Sequence, residues 1–279
     1  MRLRSLLFVP GDRPDRFAKA AASGADALIL DLEDSVAPER KPEARAAVAD
    51  WLAGDRSIPC FVRINPLDSD HSAADLAAVL PGRPDGIVLP KAEGAASVAA
   101  LLALIGDNPP PILPIATETA AAIFQLGSYA ALTTHLAGLT WGAEDLPAAI
   151  GATTAREEDG RYTPPYEMVR SLTLFAAHAA HVPAIETVFP RIDAPDALAA
   201  YVARARRDGF TGMMAIHPAQ VATINRGFTP TPEELAQARA IVAAFDAHPG
   251  AGALRLDGKM IDQPHRKQAQ QILDRAADI

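Results

Sequence analysis

The chain has 279 residues, of which 49% are hydrophobic and 22% are charged, and its formal net charge is −8. This balance is typical of a globular protein with a sizeable core and excludes an intrinsically disordered chain. The acidic charge argues against a nucleic-acid-binding protein. The single cysteine, Cys60, excludes an internal disulfide and a cysteine-rich zinc cluster.

Eight short apolar runs, each ending in polar or turn residues, recur along the chain. Runs of this kind are typical of strands buried on both faces, as parallel strands are beneath crossover helices. Between them, helices are predicted over residues 15–23, 42–52, 72–80 and 95–105. The predicted strands are residues 5–9, 27–31, 60–64, 86–90, 112–116, 138–142, 184–188 and 212–216.

The spacing of these runs predicts the fold. From the second run to the sixth, successive strand ends lie 27 to 32 residues apart, and one strand, one crossover helix and two loops need roughly 30 residues. Eight such units predict a (β/α)8 TIM barrel. A doubly wound sheet is the alternative, but it rarely has eight strands so evenly spaced. Residues 151–165 interrupt the spacing and are predicted as a long loop.

The sequence predicts neither an export signal nor a membrane span. The apolar run at residues 6–10 is too short for a signal peptide. The uncharged stretch at residues 119–143 is interrupted by polar residues such as Gln125 and His135, so it is interpreted as core. We expect a soluble, cytoplasmic protein that binds no membrane.

A capped helix and a tail are predicted after the eighth strand. Thr231 is the expected N-cap, Pro232 takes the first helical position, and Glu234 completes a capping box. We assign residues 1–247 to the barrel domain. Residues 248–279 form a C-terminal helical tail, which lies beyond a complete barrel and therefore packs on its outside or on a neighbouring subunit.

The candidate site residues are the polar residues at the C-terminal strand ends, where TIM barrels carry their active sites. Several carboxylates and an arginine around one rim favour a hard cation, and Mg²⁺ takes one or two carboxylates with waters and substrate oxygens. Glu118 and Asp145 end adjacent strands, about 5 Å apart, and are suited to share one ion. The candidates are Asp31, Glu33, Asp34, Arg63, Lys91, Glu93, Glu118, Glu144, Asp145, Glu186 and His217.

Each candidate also has a structural explanation. The three acids after the second strand are equally suited to capping the next helix. Arg63 lies in an apolar strand and needs a counter-charge, which is either a structural acid or a bound anion. His217 fits a strand-ending turn better than a catalytic base, and Glu186 is either a partner of a ligand or a satisfied core acid.

Other residues give weaker signals. Arg13, Arg16 and Lys19 form either a solvated helix face or a phosphate site at a helix N-terminus. Lys91 is the only lysine at a strand end, and nothing indicates the desolvated amine that Schiff-base chemistry needs. No Gly-x-Ser-x-Gly elbow occurs, and Cys60 lies inside a strand. Spacing alone therefore leaves the reaction open.

Eight sequence blocks follow one another in an order found in one known family. The blocks are residues 4–12 (RSLLFVPGD), 26–34 (DALILDLED), 62–65 (VRIN), 89–91 (LPK), Glu118, 142–146 (GAEDL), 215–220 (AIHPAQ) with 224–225 and 228–230, and 257–262 (DGKMID). On these blocks the chain resembles, over nearly its whole length, the citrate lyase β-subunit-like (CitE-like) family of the HpcH/HpaI aldolase group. Relatives of that family include malyl-CoA, citramalyl-CoA and citryl-CoA lyases.

The resemblance implies a Mg²⁺-dependent TIM barrel that forms or breaks a carbon–carbon bond between a 2-oxo acid and the enolate of an acyl-CoA. By position, Glu118 and Asp145 match the metal ligands. Arg63 matches the residue that orients the substrate and offsets the enolate charge. The expected partners are therefore an acyl-CoA thioester and a 2-oxo acid.

The resemblance also implies residues for coenzyme A and for proton transfer. Phe8, Arg13 and Lys19 resemble the CoA-binding positions of malyl-CoA lyases. Asp262, in the tail, resembles the acid/base aspartate that such enzymes insert into the site of a neighbouring subunit. A homotrimer or hexamer is therefore expected.

Three positions depart from the family pattern and leave the acyl specificity open. The seventh strand reads Ile185-Glu186 where Ile-Asp is frequent, Met213 stands where lysine is common, and His181 replaces a usual glycine. Three alternatives remain. The chain is the β subunit of a citrate lyase acting on a citryl carrier-protein thioester, a CoA-independent aldolase for hydroxy-oxo acids, or a non-catalytic barrel that binds CoA esters.

Overall fold

The computed structural model describes residues 1–277. The last two residues of the predicted tail, Asp278 and Ile279, lie outside the described residues. Strands and helices alternate along most of the described chain. The strands are β1 (Ser5–Pro10), β2 (Ala27–Asp31), β3 (Cys60–Arg63), β4 (Gly86–Leu89), β5 (Ile112–Pro114), β6 (Leu139–Thr140), β7 (Ala184–Glu186), β8 (Gly212–Ala215), β9 (Ala253–Leu256) and β10 (Lys259–Asp262).

Helices follow each of the first eight strands, and short 3-10 turns precede or follow several of them. In the described residues, no helix has the length and apolarity that crossing a membrane requires. The helices are α1 (Phe17–Ala21), α2 (Lys41–Ala53), α3 (Ser72–Val79), α4 (Ala95–Ile105), α5 (Ala120–Ile123), α6 (Leu146–Ile150), α7 (Pro164–Ala179), α8 (Pro195–Asp208), α9 (Pro218–Phe228), α10 (Pro232–Asp246) and α11 (Gln263–Ala277).

The first eight strands close into a parallel barrel. Their order in the sheet is β5-β4-β3-β2-β1-β8-β7-β6. The two ends of this order also meet, because Ile112 pairs with Leu136 and Ile115 pairs with Thr140. In addition, the Ala116 N–H donates to the Thr140 carbonyl at 2.9 Å. The closure confirms the predicted TIM barrel and excludes the doubly wound sheet.

All eight predicted strands are present, and β6 is shorter than the predicted run of residues 138–142. The ladder ends early because a side chain takes over the next backbone donor. The Gly142 N–H donates to the Thr117 hydroxyl at 3.1 Å, not to a strand carbonyl. This exchange turns the chain after Trp141 and brings residues 142–145 to the mouth of the barrel.

Inward-facing side chains fill the barrel interior, and burial of this apolar surface is the main term that stabilises the fold. The strands contribute alternating residues, so that each layer holds side chains from several strands. The cluster is completed by Phe8, Ala137 and Val188, which are only partly buried. Its buried members are Leu3, Leu6, Ala27, Ile29, Phe61, Val88, Leu113, Ile115, Ile185 and Met214.

The chain divides into two compact units. One is Leu3–Asn225, which contains the barrel, and the other begins at Arg226 and includes Met1–Arg2. The predicted domain boundary after residue 247, and the packing of the tail on a neighbouring subunit, stay predictions.

In the second unit, α10 carries the predicted capping box. The Glu234 N–H donates to Thr231 Oγ1 at 3.2 Å, and the Thr231 N–H donates to Glu234 Oε2 at 2.7 Å. The strands β9 and β10 form an antiparallel hairpin, which the sequence pattern missed. The helix α11 follows the hairpin and packs on α10, so the tail is helical as predicted.

We expect Gly212→Ala to destabilise the barrel strongly. A Cβ at this position would lie 1.8 Å from the carbonyl oxygen of Leu3, and relief of such a clash requires β1 and β8 to separate. We predict a loss of about 3 kcal/mol in the free energy of unfolding, measured by urea denaturation. Gly127→Ala is the matched control, since its Cβ would meet nothing within 4 Å. Equal losses in the two variants would contradict the close approach.

Candidate active site

A cavity of about 320 Å³ lies at the C-terminal ends of the barrel strands. Residues that end or follow β1, β2, β3, β5, β6, β7 and β8 line it, as expected for a TIM-barrel active site. A larger groove of about 1280 Å³ lies between residues 156–167 and 189–204, and its lining includes none of the predicted site residues. The strand-end candidates that line the smaller cavity are Asp31, Asp34, Arg63, Glu118, Glu144 and Asp145.

Glu118 follows β5, and its side chain is almost wholly buried. Its Oε2 accepts a hydrogen bond from the backbone N–H of Lys91 at 2.6 Å. Gly142 leaves room for this side chain, since a Cβ there would lie 2.8 Å from Glu118 Cγ. Burial raises the pKa of Glu118 to about 8; the Lys91 hydrogen bond opposes this shift, and the charge of Asp145 adds to it.

Asp145 lies at the N-cap of α6 and lines the same cavity as Glu118. Its Oδ1 is 3.8 Å from the Lys91 ammonium. About a third of the Asp145 side chain is exposed, so a solvent ion can reach it. The adjacency of the fifth and sixth strands thus brings the two predicted metal ligands together.

Arg63 is held at the end of β3 by two buried acids. Its Nε and Nη2 donate to the two carboxylate oxygens of Asp31, each at 2.7 Å, and its Nη1 is 2.7 Å from Glu33 Oε2. The guanidinium lies over the Phe8 ring, 4.9 Å from the ring centre. The counter-charge that Arg63 requires is therefore a pair of structural acids.

These ion pairs shift the protonation of their members. Burial alone would raise the pKa of Asp31, but the Arg63 charge and hydrogen bonds hold it below its ordinary value. Burial would lower the pKa of Arg63, and Asp31 and Glu33 raise it above its ordinary value instead. Asp31 also accepts the N–H groups of Glu33 at 2.9 Å and Ser35 at 3.2 Å. It therefore both orders the turn and anchors the arginine.

The predicted coenzyme A residues are only partly brought together. Phe8 lines the cavity, whereas Arg13 and Lys19 do not. Arg13 forms a surface pair with Asp15 at 2.8 Å, and Lys19 is exposed on α1. Their binding roles stay predictions.

Asp262 ends β10 in the second compact unit. Its Oδ1 lies 2.5 Å from His265 Nδ1, and this contact holds the pKa of Asp262 below its ordinary value. The carboxylate is partly exposed and is thus available to a substrate. Its predicted acid/base role in a neighbouring subunit stays a prediction.

Two candidates prove to be structural. Glu186 is fully buried, and its oxygens accept hydrogen bonds from Trp141 Nε1 at 2.5 Å, Arg170 Nε at 2.7 Å and the Thr187 N–H at 3.0 Å. It is a satisfied core acid. His217 is exposed, and its Nδ1 accepts from the Ala219 N–H at 3.2 Å, which fits the strand-ending turn.

Sequence reasoning underrated Lys91 and Glu33. The ammonium of Lys91 donates to Glu33 Oε1 at 2.9 Å, so this lysine is ion-paired and offers no free amine for a Schiff base. Both residues lie in blocks that carry the family resemblance. Glu33 follows β2 and Lys91 follows β4. A contact between residues so far apart in the chain cannot be predicted from a local sequence pattern.

The residues present fit a magnesium ion. Among residues 1–277, no group of three or more His, Cys, Asp or Glu side chains is arranged to hold a metal. Glu118 and Asp145 supply two hard oxygen donors, and Mg²⁺ is usually held by one or two carboxylates, with waters and substrate oxygens completing the octahedron. The repulsion that Asp145 exerts on Glu118 is what a bound cation would relieve.

The closed barrel and the acidic, arginine-containing cavity at its C-terminal mouth define a TIM-barrel enzyme. Residues 167–278 match the profile of carbon–carbon bond lyases of the TIM-barrel fold, and residues 4–218 match that of the HpcH/HpaI aldolase/citrate lyase family. The chain belongs to the HpcH/HpaI aldolase/citrate lyase family and is a carbon–carbon lyase.

Individual relatives cover almost the whole chain. A (3S)-malyl-CoA thioesterase of Cereibacter sphaeroides is 34% identical, over 99% of this chain and 95% of its own length. The mitochondrial citramalyl-CoA lyase of Rattus norvegicus is 33% identical, over 99% of this chain and 86% of its own length. The CitE protein of Mycobacterium tuberculosis, solved with magnesium, acetoacetate and coenzyme A, is 37% identical with a TM-score of 0.83, over 98% of both chains.

We expect Asp31→Asn to lower the free energy of unfolding by about 3 kcal/mol at neutral pH, because it leaves the Arg63 guanidinium, which is only 12% exposed, without its main counter-charge. Because the folded-state pKa of Asp31 lies below its unfolded value, its stabilisation is present above the unfolded pKa. It is lost as the pH falls through the folded pKa. The difference in the free energy of unfolding between the variant and the wild type, measured by urea denaturation, should therefore become smaller at acidic pH.

Asp15→Asn is the matched control, since it removes an exposed acid that also pairs with an arginine. We expect almost no change from it. A gap between Asp31→Asn and the wild type that stays constant from neutral to acid pH would contradict the ion-pair explanation.

Proposed function

We propose that the chain is a Mg²⁺-dependent acyl-CoA lyase. It cleaves or forms the carbon–carbon bond of a short 3-hydroxy dicarboxylyl-CoA, of the citramalyl-, malyl- or citryl-CoA type, giving a 2-oxo acid or other carbonyl product and acetyl-CoA. The observation that carries the proposal is the convergence of Glu118, Asp145 and Arg63 on one cavity. The lyase relative and the CitE complex with magnesium and coenzyme A support it.

The proposed reaction needs a metal ion and a fixed positive charge. Glu118 and Asp145 would hold Mg²⁺, which when bound lowers the pKa of the substrate hydroxyl and polarises the developing keto group. Arg63 stabilises the enolate that forms beside the thioester. Its three contacts to Asp31 and Glu33 do not exhaust the five N–H donors of a guanidinium, and they fix its position before the charge develops.

Proton transfer and coenzyme A binding are assigned to four residues, of which only Phe8 lines the cavity. Asp262, from a neighbouring subunit of a homotrimer or hexamer, would protonate the enolate carbon in cleavage and remove that proton in condensation. Arg13 and Lys19 would bind the phosphates of coenzyme A. Phe8, which already lines the cavity, would contact the acyl end of the thioester.

The lining of the cavity bears on the substrate. Among the described residues that line it, Arg63 is the only one with a basic side chain, while Ile115, Val188, Met214 and Ile216 present apolar surface. A citryl group carries one carboxylate more than a citramalyl group, and that carboxylate would need a further cation. The lining therefore favours malyl- and citramalyl-type substrates over citryl.

Two rival lyase functions are separated by simple observations. A citrate lyase β subunit would co-purify with partner subunits, or act only when they are added. A CoA-independent aldolase would cleave free hydroxy-oxo acids as well as thioesters. The third alternative, a non-catalytic barrel that binds CoA esters, is excluded by the assignment of the chain to the carbon–carbon lyases.

We expect Glu118→Gln and Asp145→Asn each to lower the rate of keto-acid release from malyl- or citramalyl-CoA by at least a hundredfold, because each removes a charged ligand worth more than about 2.7 kcal/mol in the transition state. Coupled assay of keto acid, with a panel of thioesters and the matching free acids, measures this loss. Glu39→Gln, at an exposed position, is the control. Unchanged turnover in Glu118→Gln would refute the metal role.

We expect Asp262→Asn to be inactive alone and to regain activity when mixed with Glu118→Gln. If each site joins Glu118 of one subunit to Asp262 of another, a mixed oligomer contains some sites with both residues intact. The two variants, each with a different affinity tag, are co-expressed so that mixed oligomers form during assembly, and these oligomers are purified on both tags. Absence of activity in the doubly tagged oligomer, with each variant folded, would contradict a shared site.

A further inference from the structure

Lys91 and Glu33 lie beside the proposed metal ligands. The proposed reaction gives Lys91 no role, and it uses Glu33 only as a partner of Arg63. The Lys91 ammonium is 2.9 Å from Glu33 Oε1 and 3.8 Å from Asp145 Oδ1. The first distance is that of a hydrogen bond, and the second is beyond it. The ammonium therefore lies between two carboxylates and is bound by only one of them.

Glu33 is built to hold this ammonium. Its side chain is only 3% exposed, and its other oxygen, Oε2, lies 2.7 Å from Arg63 Nη1. Glu33 is therefore fixed from both sides. Lys91 has a long side chain that is 36% exposed, so it has the freedom to turn toward either acid.

The backbone of Lys91 has a separate task. Lys91 has a φ of 49°, in the left-handed region, and from there its N–H donates to Glu118 Oε2 at 2.6 Å. A change of the side chain leaves this hydrogen bond in place. The effect of the ammonium can therefore be tested without removing the backbone contact to Glu118.

An ammonium bound to Asp145 would compete with a metal ion. It would occupy a carboxylate oxygen that the ion needs, and its charge would oppose the approach of a dication. In the structure the ammonium lies 3.8 Å from Asp145 Oδ1, and Glu33 offers it a charged acceptor at 2.9 Å. Without that acceptor, Asp145 is the nearest carboxylate among the contacts of Lys91.

We propose that Glu33 is a positioning residue that tethers the Lys91 ammonium away from Asp145 and so keeps the Glu118 and Asp145 carboxylates open to a divalent cation. The proposal rests on the proposed function, because it takes Glu118 and Asp145 as the metal ligands. It adds to that function a residue that acts on metal binding through Lys91.

The test is a double-mutant cycle on the full-length protein. Mn²⁺ is titrated into the wild type, Glu33→Gln, Lys91→Met and the double variant, and free Mn²⁺ is followed by electron paramagnetic resonance. We expect Glu33→Gln to weaken Mn²⁺ binding about tenfold, the scale of one charge-assisted hydrogen bond. Lys91→Met should bind as tightly as the wild type or a few-fold more tightly, and the double variant should bind like Lys91→Met.

The recovery in the double variant separates a tether from a structural role. If Glu33 served only packing, Glu33→Gln would weaken Mn²⁺ binding equally whether or not Lys91 is also changed. The effects of the two substitutions on the binding free energy would then add. Glu39→Gln and Lys267→Met remove an exposed acid and an exposed lysine and are the charge-matched controls. Thermal unfolding of every variant reports whether a change in binding reflects lost folding.

The outcomes distinguish this inference from the proposed function. If the wild type binds Mn²⁺ and Glu118→Gln does not, the metal site stands. Under that condition, unchanged binding in Glu33→Gln, or a double variant as weak as Glu33→Gln, overturns the tether alone. If the wild type fails to bind, or Glu118→Gln binds as the wild type does, the metal site is overturned and the tether with it.

Discussion

The balance of charge at the mouth of the barrel is the constraint on which the site depends. Asp31, Glu33 and Glu118 are nearly buried there, and buried carboxylates are tolerated only when they are paired or hydrogen-bonded. Arg63 and Lys91 provide that pairing. Because Glu33 contacts both cations, it joins the arginine side of the cavity to the side with Glu118 and Asp145.

The two sides of the cavity differ in how their charges are balanced. On one side, Arg63 is held in place by Asp31 and Glu33, which suits a group that must stabilise charge without moving. On the Glu118 side, burial raises the pKa of Glu118 to about 8, and the charge of Asp145 adds to this shift.

The residues at the three departures from the family pattern are not among those that line this cavity. Glu186 is satisfied within the core by Trp141 and Arg170, and Met213 is fully buried. His181 adopts a φ of 55°, in the region that glycine enters most easily, which fits the glycine that the family resemblance implies at this position.

The sequence by itself determined the barrel, because eight buried parallel strands must appear as eight apolar runs, and it determined the capping box at Thr231, which is local. It also indicated that Glu118 and Asp145 would meet, since adjacent strands end side by side. Only the tertiary structure decided the partner of Arg63 and the pairing of Lys91 with Glu33. Those contacts join side chains from different strands, at distances and angles that depend on how the closed barrel turns each strand end toward the cavity.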